Sequence, residues 1–250
     1  MISKKIINKF LKKINVEIHG SSYLQALRKG EFRHNEFDLY KKIFSNKAIC
    51  IFDVGANRGI KAAEYMQHFP KATVHAFEPY LPCFVQLQEK FAGNKNIYLY
   101  NIGISNEKAM KAFHVNKSID TNSFLSSAEV GLNSDAFVKT IEEIVLPLDT
   151  MDSVAKDNNI EHIHILKLDV QGSELNALKG AENLLATHKI DVLFIETYFI
   201  QQYKGQPLFY EIAAYLVKLG YVLQDFYNPI YGHGKLAWCD VIFVRKDLKC

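Results

Sequence analysis

Ile49-Cys50-Ile51-Phe52-Asp53-Val54-Gly55-Ala56-Asn57-Arg58-Gly59 decides the architecture of this chain. A run of apolar residues, broken only by Asp53, ends in two glycines four positions apart. Such a run predicts a strand buried on both faces, as in a parallel sheet. Gly55 and Gly59 permit a sharp turn and close approach of the backbone to a ligand, where a Cβ would clash. Residues 58–68 then read as a helix stopped by Pro70, so the stretch is a strand, a glycine turn and a helix N-terminus.

The same alternation continues outward. Thr73–Phe77 and Asn96–Tyr100 read as strands, with a helix between them over 82–91 that carries Pro82 in its first turn. His164–Leu168 is a fourth strand, followed by a helix over 173–188, and Val192–Ile195 is a fifth. A helix over 207–219 closes on Gly220, and Tyr221–Phe226 and Val241–Val244 are the last strands. Alternating strands and helices imply an α/β fold, a mostly parallel sheet with helices on both faces. We divide the chain into a helical extension, 1–47, and one domain, 48–250.

Composition narrows the class. The 250 residues are 48% hydrophobic and 23% charged, with a net charge of +3. That is a globular balance, and too little positive charge for the concentrated basic face that nucleic acid requires. The four cysteines form no CxxC pair and are read as reduced thiols of a cytoplasmic protein. No apolar run is long enough to span a bilayer. The N-terminus lacks the apolar core and cleavage site of a secretory signal. Its Ile2, Ile6, Phe10 and Ile14 share one helix side, with lysines mostly on the other. That fits a helix packed on the domain, and also weak contact with a membrane surface. We favour the first, because one short basic helix anchors only marginally.

Ligands of open α/β sheets bind beyond the carboxyl ends of the strands. Asp53, Glu78, Asp169 and Glu196 stand at four of those ends. Glu78 follows Asp53 by 25 residues, the place of a ribose-binding acid. The spacing Gly55-x-Asn57-x-Gly59 does not match the dinucleotide GxGxxG, and no Walker loop is present. S-adenosylmethionine carries an ammonium, a sulfonium and a ribose but no phosphate, so acidic strand ends favour it over a nicotinamide cofactor.

Asp53-Val-Gly-Ala-Asn-Arg-Gly59, Ala76-Phe-Glu-Pro79, Lys167-Leu-Asp-Val-Gln-Gly-Ser-Glu174 and Leu178-Lys-Gly-Ala181, in this order, resemble the motifs of the FkbM-type S-adenosylmethionine-dependent methyltransferases. The resemblance runs from about residue 48 to 245. It implies a class I methyltransferase: a Rossmann-like fold with seven strands, the last antiparallel. It implies that Asp53, Gly55, Asn57 and Gly59 hold the methionine part of the cofactor. Glu78, followed by Pro79, would bind the ribose hydroxyls. Ile102 and Gly103 would lie beside the adenine, although the usual acid of that segment is missing. The acceptor implied is a hydroxyl on a sugar, glycolipid or small metabolite.

A protonated hydroxyl is a poor nucleophile, so a general base or a metal is expected. Asp169 is the first candidate base, Glu196 the second and Glu174 the third, though Glu174 also suits the first turn of a helix for its dipole alone. Lys167 lies two residues before Asp169, on the same strand face, and is expected to pair with a carboxylate. Adjacent strand-end carboxylates could also hold Mg²⁺. His114 and His233 are alternative bases, while His162 and His164 sit at the wrong end of their strand. Residues 113–145, with Thr121, Asn122 and Phe124, read as a loop that could cover the acceptor. Tyr231 and Trp238 could stack on a sugar face. The competing readings are a nicotinamide-dependent oxidoreductase, a non-catalytic nucleoside-binding module and a nucleic-acid methyltransferase. The last would usually show an Asn/Asp-Pro-Pro-Tyr/Phe block where Asp169-Val-Gln-Gly stands.

Overall fold

The computed structural model describes residues 35–45, 47–128, 138–232 and 234–248. The basic stretch read as an N-terminal helix lies outside them. The chain divides between Leu39 and Tyr40, inside helix α1 (Glu36–Phe44). The body from Tyr40 on carries the sheet and its clefts.

This body is built on strands β1 (Cys50–Val54), β2 (Thr73–Phe77) and β3 (Ile97–Tyr100), then, after an insert, β7 (Ile163–Leu168), β8 (Ile190–Tyr198), β9 (Tyr221–Gly232) and β10 (Lys235–Arg245). They form one seven-stranded sheet in the order β3-β2-β1-β7-β8-β10-β9. β10 alone runs antiparallel to the other six. The order reverses between β1 and β7, which creates a crevice beyond their carboxyl ends. Phe52, Val54, Leu166, Leu168, Leu193 and Ile195 are buried within 1% exposure, as the apolar runs of β1, β7 and β8 require. Helices α2 (Ile60–His68), α3 (Leu81–Lys90), α4 (Met151–Asp157) and α7 (Phe209–Lys218) join these elements. No helix among the described residues is long and apolar enough to cross a membrane.

Three expectations change. The helix over 173–188 is two short ones, α5 (Glu174–Lys179) and α6 (Glu182–Ala186). They part at Gly180, where a Cβ would stand 1.9 Å from the Ser105 carbonyl. The freed N-terminus of α6 is capped by Asp152, which accepts from the amides of Asn183 and Leu184 at 3.0 and 3.1 Å. The segment 113–145 is not a simple loop. It holds most of β5 (Ala109–Asn116) and the first part of β6 (Thr140–Asp149), which with β4 (Gly103–Ile104) make a second sheet in the order β4-β6-β5. Pro147 hides β6 from a sequence reading. It is tolerated because β4 flanks β6 only at Leu148 and Asp149. The last two strands are also longer than their apolar cores, and form an extended hairpin.

Candidate active site

The glycine loop is fixed from below and from the side. Gly55 has φ +77, and a Cβ on it would fall 1.8 Å from the Asp169 carbonyl. No other residue lets β1 turn over the end of β7. The amides of Gly55 and Ala56 donate to the Phe77 carbonyl, and that of Gly59 to Ala56. The Asn57 amide donates to Glu78 Oε2 at 2.8 Å, and the Tyr80 amide to Glu78 Oε1 at 2.9 Å. The loop therefore spends the N–H groups of Gly55, Ala56, Asn57 and Gly59 internally, one of them on a carboxylate. A pyrophosphate would meet negative charge here instead of an anion nest. Glu78 is 7% exposed. Burial pushes its carboxyl up to about 7, against the pull of the two amides. A carboxylate has about four lone-pair sites, so two remain for ribose hydroxyls.

The loop edges a cleft of about 410 Å³. Gly55, Asn57, Glu78, Pro79, Ile102 and Gly103 line it. Asp53 does not, contrary to expectation. It is fully buried below the loop, where Lys167 Nζ stands 3.2 Å from its Oδ1. Gly59 also stays out of the lining and instead makes room for Leu87 and Phe91. Asn101 donates to the Glu78 and Pro79 carbonyls at 2.8 and 3.0 Å. It shapes this wall and takes no part in an acid's role.

Across the cleft the sheet register lines up acids. Lys167 faces Phe194, and Glu196 faces Asp240 on β10. Asp169 follows Lys167 by two, so Asp169, Glu196 and Asp240 form a row on one face. Lys167 reaches Asp169 Oδ2 at 3.6 Å and donates to the Gly55 carbonyl at 2.7 Å. Burial alone would lower the Lys167 pKa, but Asp53 and Asp169 outweigh it and hold the ammonium charged. Burial and then the Asp169 charge push Glu196 well above the usual carboxylate range. Burial pushes Asp240 up to about 6. Asp240 lines the cleft and was missed in the sequence, because its place depends on an antiparallel register.

Gln171 joins this row to a second cavity of about 250 Å³. It has φ 52, a left-handed conformation that costs a non-glycine residue roughly 1–2 kcal/mol. Glu174 holds the turn: its Oε1 accepts from the amides of Val170 and Gly172, each at 3.1 Å. Glu174 is fully buried and lines neither cavity, so its carboxylate serves the turn. The Gln171 amide donates to Asp169 Oδ1 at 2.8 Å and to Glu196 Oε2 at 2.7 Å. Its oxygen accepts from Tyr203 Oη at 2.8 Å, while Tyr198 Oη donates to Glu196 Oε2 at 2.5 Å. Burial keeps both tyrosines as phenols. Gln171 and Asp120 line both cavities. Asp120 also bonds Arg58 at 2.8 Å and Asn57 at 3.0 Å, tying the insert to the glycine loop.

The other expected residues fall away from this centre. His114 sits on β5, 3.5 Å from Glu143, and lines neither cavity. His233 lies outside the described residues. Tyr231 is 67% exposed, whereas Trp238 lines the second cavity. Mg²⁺ at the strand ends does not fit, because the Lys167 ammonium already fills the cation position beside Asp53 and Asp169. Among the described residues, the one gathered group of ligand types is His162, His164 and Asp191, at the amino ends of β7 and β8. There His164 Nδ1 accepts from the Cys50 amide at 3.0 Å, so its other nitrogen carries the proton of the neutral ring.

The donor set fits a cofactor that brings ribose hydroxyls and a cationic centre. Glu78 is open to hydroxyls, Asp169 and Asp240 meet cationic charge, and no phosphate cradle exists among the described residues of the loop. Sheet order and site together define an S-adenosylmethionine-dependent methyltransferase of class I architecture. Residues 53–223 match the model of the methyltransferase FkbM domain, and the chain belongs to that family. It is similar to the 2-O-methyltransferase NoeI of Sinorhizobium fredii, at 25% identity over 62% of this chain and 66% of that protein. The 31-O-demethyl-FK506 methyltransferase FkbM of Streptomyces tacrolimicus is 26% identical over 58% of this chain and 68% of that protein. The chain thus spans about two thirds of these relatives. Among solved structures, M. capricolum TrmK with S-adenosyl-homocysteine matches with TM-score 0.46 and 13% identity, over 86% of this chain and 70% of that one. Magnesium protoporphyrin IX methyltransferase from Synechocystis with bound SAM gives TM-score 0.47 and 12% identity, over 97% and 96%.

Proposed function

We propose that this protein methylates a hydroxyl oxygen on a carbohydrate or other small hydroxylated metabolite. The observation that carries the reading is Gln171, which bonds Asp169 in the cofactor cleft and Glu196 in the second cavity at once. Cofactor and acceptor then meet at one amide. Of the relatives named above, one is a 2-O-methyltransferase by name and the other is named for a 31-O-demethyl substrate, which supports oxygen as the acceptor atom.

S-adenosylmethionine, when bound, supplies a methyl group already activated by its sulfonium. The protein has to orient the acceptor, keep water out and take a proton. Glu78 would hold the ribose hydroxyls, and the Gly55–Asn57 loop the amino-acid end. Asp169 is the base: its side chain keeps 39% exposure while Gln171 and Lys167 fix both its oxygens. Asp240, beyond Glu196 in the same row, is a second proton acceptor. Orientation of this kind is worth several kcal/mol of barrier, and a positioned base about 10²–10⁴-fold in rate.

The test is transfer of labelled methyl from S-adenosylmethionine to a panel of glycosides, hydroxylated lipids, amines, carboxylic acids and RNA. The reading expects label as an alkali-stable ether on a hydroxylated small molecule. Label on RNA, nitrogen or carboxylate alone contradicts it.

A further inference from the structure

The second cavity contains a donor that the protein leaves unused. Gln202 is 7% exposed, and its side-chain Nε2 has no hydrogen-bond acceptor. Its backbone is held in place, since the Gln202 amide donates to Gln206 Oε1 at 2.7 Å. Leaving such a group unpaired costs about 1–3 kcal/mol, and native chains rarely do so without a reason. Of the buried side-chain atoms without a partner among the described residues, the Gln202 amide is the one that lines this cavity. An occupant that brings an oxygen acceptor removes the cost.

The other walls state what that occupant is. Trp238 stands opposite Tyr198 in the β8–β10 register, with ring centroids 6.2 Å apart. Together they give an apolar wall of two tilted rings, 32° apart, with polar edges. Gln171 and Glu196 close the inner end. Among the described lining residues there is no lysine, arginine or histidine, while Asp120 and Glu196 are acids. Phosphate or carboxylate entering here would be desolvated with no cation among the described lining residues to pair it. A hydroxyl or ring oxygen would instead accept from Gln202. At about 250 Å³, and about 30 Å³ for each water of the liquid, there is room for one small ring.

We propose that this cavity seats the acceptor as a single uncharged hydroxylated ring, that Gln202 selects it through a hydrogen bond to one of its oxygens, and that rings bearing phosphate or carboxylate are refused. The proposal rests on the methyltransferase reading and adds to it a charge rule and a residue that enforces it.

The test uses the full chain saturated with S-adenosylhomocysteine, so failure to bind that molecule condemns the methyltransferase reading separately. Saturation-transfer NMR titrations are run with methyl pyranosides of glucose, galactose and mannose, with glucose 6-phosphate and with glucuronate. At least one neutral pyranoside should bind saturably, and the two anions at least tenfold more weakly. Gln202→Leu should weaken the neutral ring at least tenfold and Gln202→Glu likewise, both retaining wild-type S-adenosylhomocysteine affinity, which certifies the fold. Equal or tighter binding of either anion overturns the proposal. So does unchanged binding of the neutral ring by both variants, and so does failure of every pyranoside to bind the loaded protein.

Discussion

Lys167 Nζ stands 3.2 Å from Asp53 Oδ1 across the two central strands, and both side chains are sealed, at 6% and 0% exposure. The pair explains why an acid belongs in the apolar run of β1: it holds the ammonium that in turn holds the Gly55 carbonyl and Asp169. Removing one partner of a buried pair leaves an uncompensated charge, at about 3–5 kcal/mol. Lys167→Met should lose stability of that order in urea unfolding at pH 7. The double variant Lys167→Met/Asp53→Asn should recover most of it. A double variant no more stable than the single one contradicts the pairing.

Glu78 makes cofactor binding depend on pH. Its carboxyl titrates at about 7 in the folded protein, and ribose hydroxyls donate best to the ionised form. Affinity for S-adenosylhomocysteine should therefore rise from pH 6 to 8 by severalfold and level off above. Glu78→Gln should bind more weakly with a flat profile. A sloping profile in that variant assigns the titration to another group.

Asp169 and Asp240 should separate in kinetics. Asp169→Asn should lose about 10²–10⁴ in turnover at saturating cofactor. Asp240→Asn should lose less and shift the acid limb of the pH–rate profile, because Asp240 titrates at about 6. Wild-type turnover in Asp169→Asn removes it as the base.

Glu174 gives a stability signature. Its buried carboxyl is raised to about 7 from an ordinary 4.5, so the folded state binds its proton more tightly than the unfolded state does. Its share of stability is full below about pH 4.5 and is lost as pH rises toward 7, on the order of 3 kcal/mol. Thermal melts of Glu174→Gln should fall less over that window than those of the wild type. Parallel melting curves contradict the assignment.

Most of the frame is legible in the residues. The apolar runs of β1, β2, β7 and β8 are buried on both faces, so continuity alone identifies them, and the strand-end positions then follow. Asp169, Glu196, Glu78 and Lys167 are visible for that reason. Gln171 stands in its motif without a legible role, because only its left-handed backbone aims the amide between two carboxyls. Asp240 and Gln202 depend on the β8–β10 register and on a cavity closed by the insert, which are long-range facts. Asp53 reads as a cofactor ligand yet stands outside the cleft lining, because a strand-end acid looks alike whether it faces the cleft or the strand beside it.

The most direct measurement is calorimetric titration with S-adenosylhomocysteine and, in parallel, with NAD. The account predicts saturable binding of the first, weakened at least tenfold by Glu78→Ala, and no binding of the second, since the Asn57 amide is already bonded to Glu78. Binding of NAD without S-adenosylhomocysteine would contradict it.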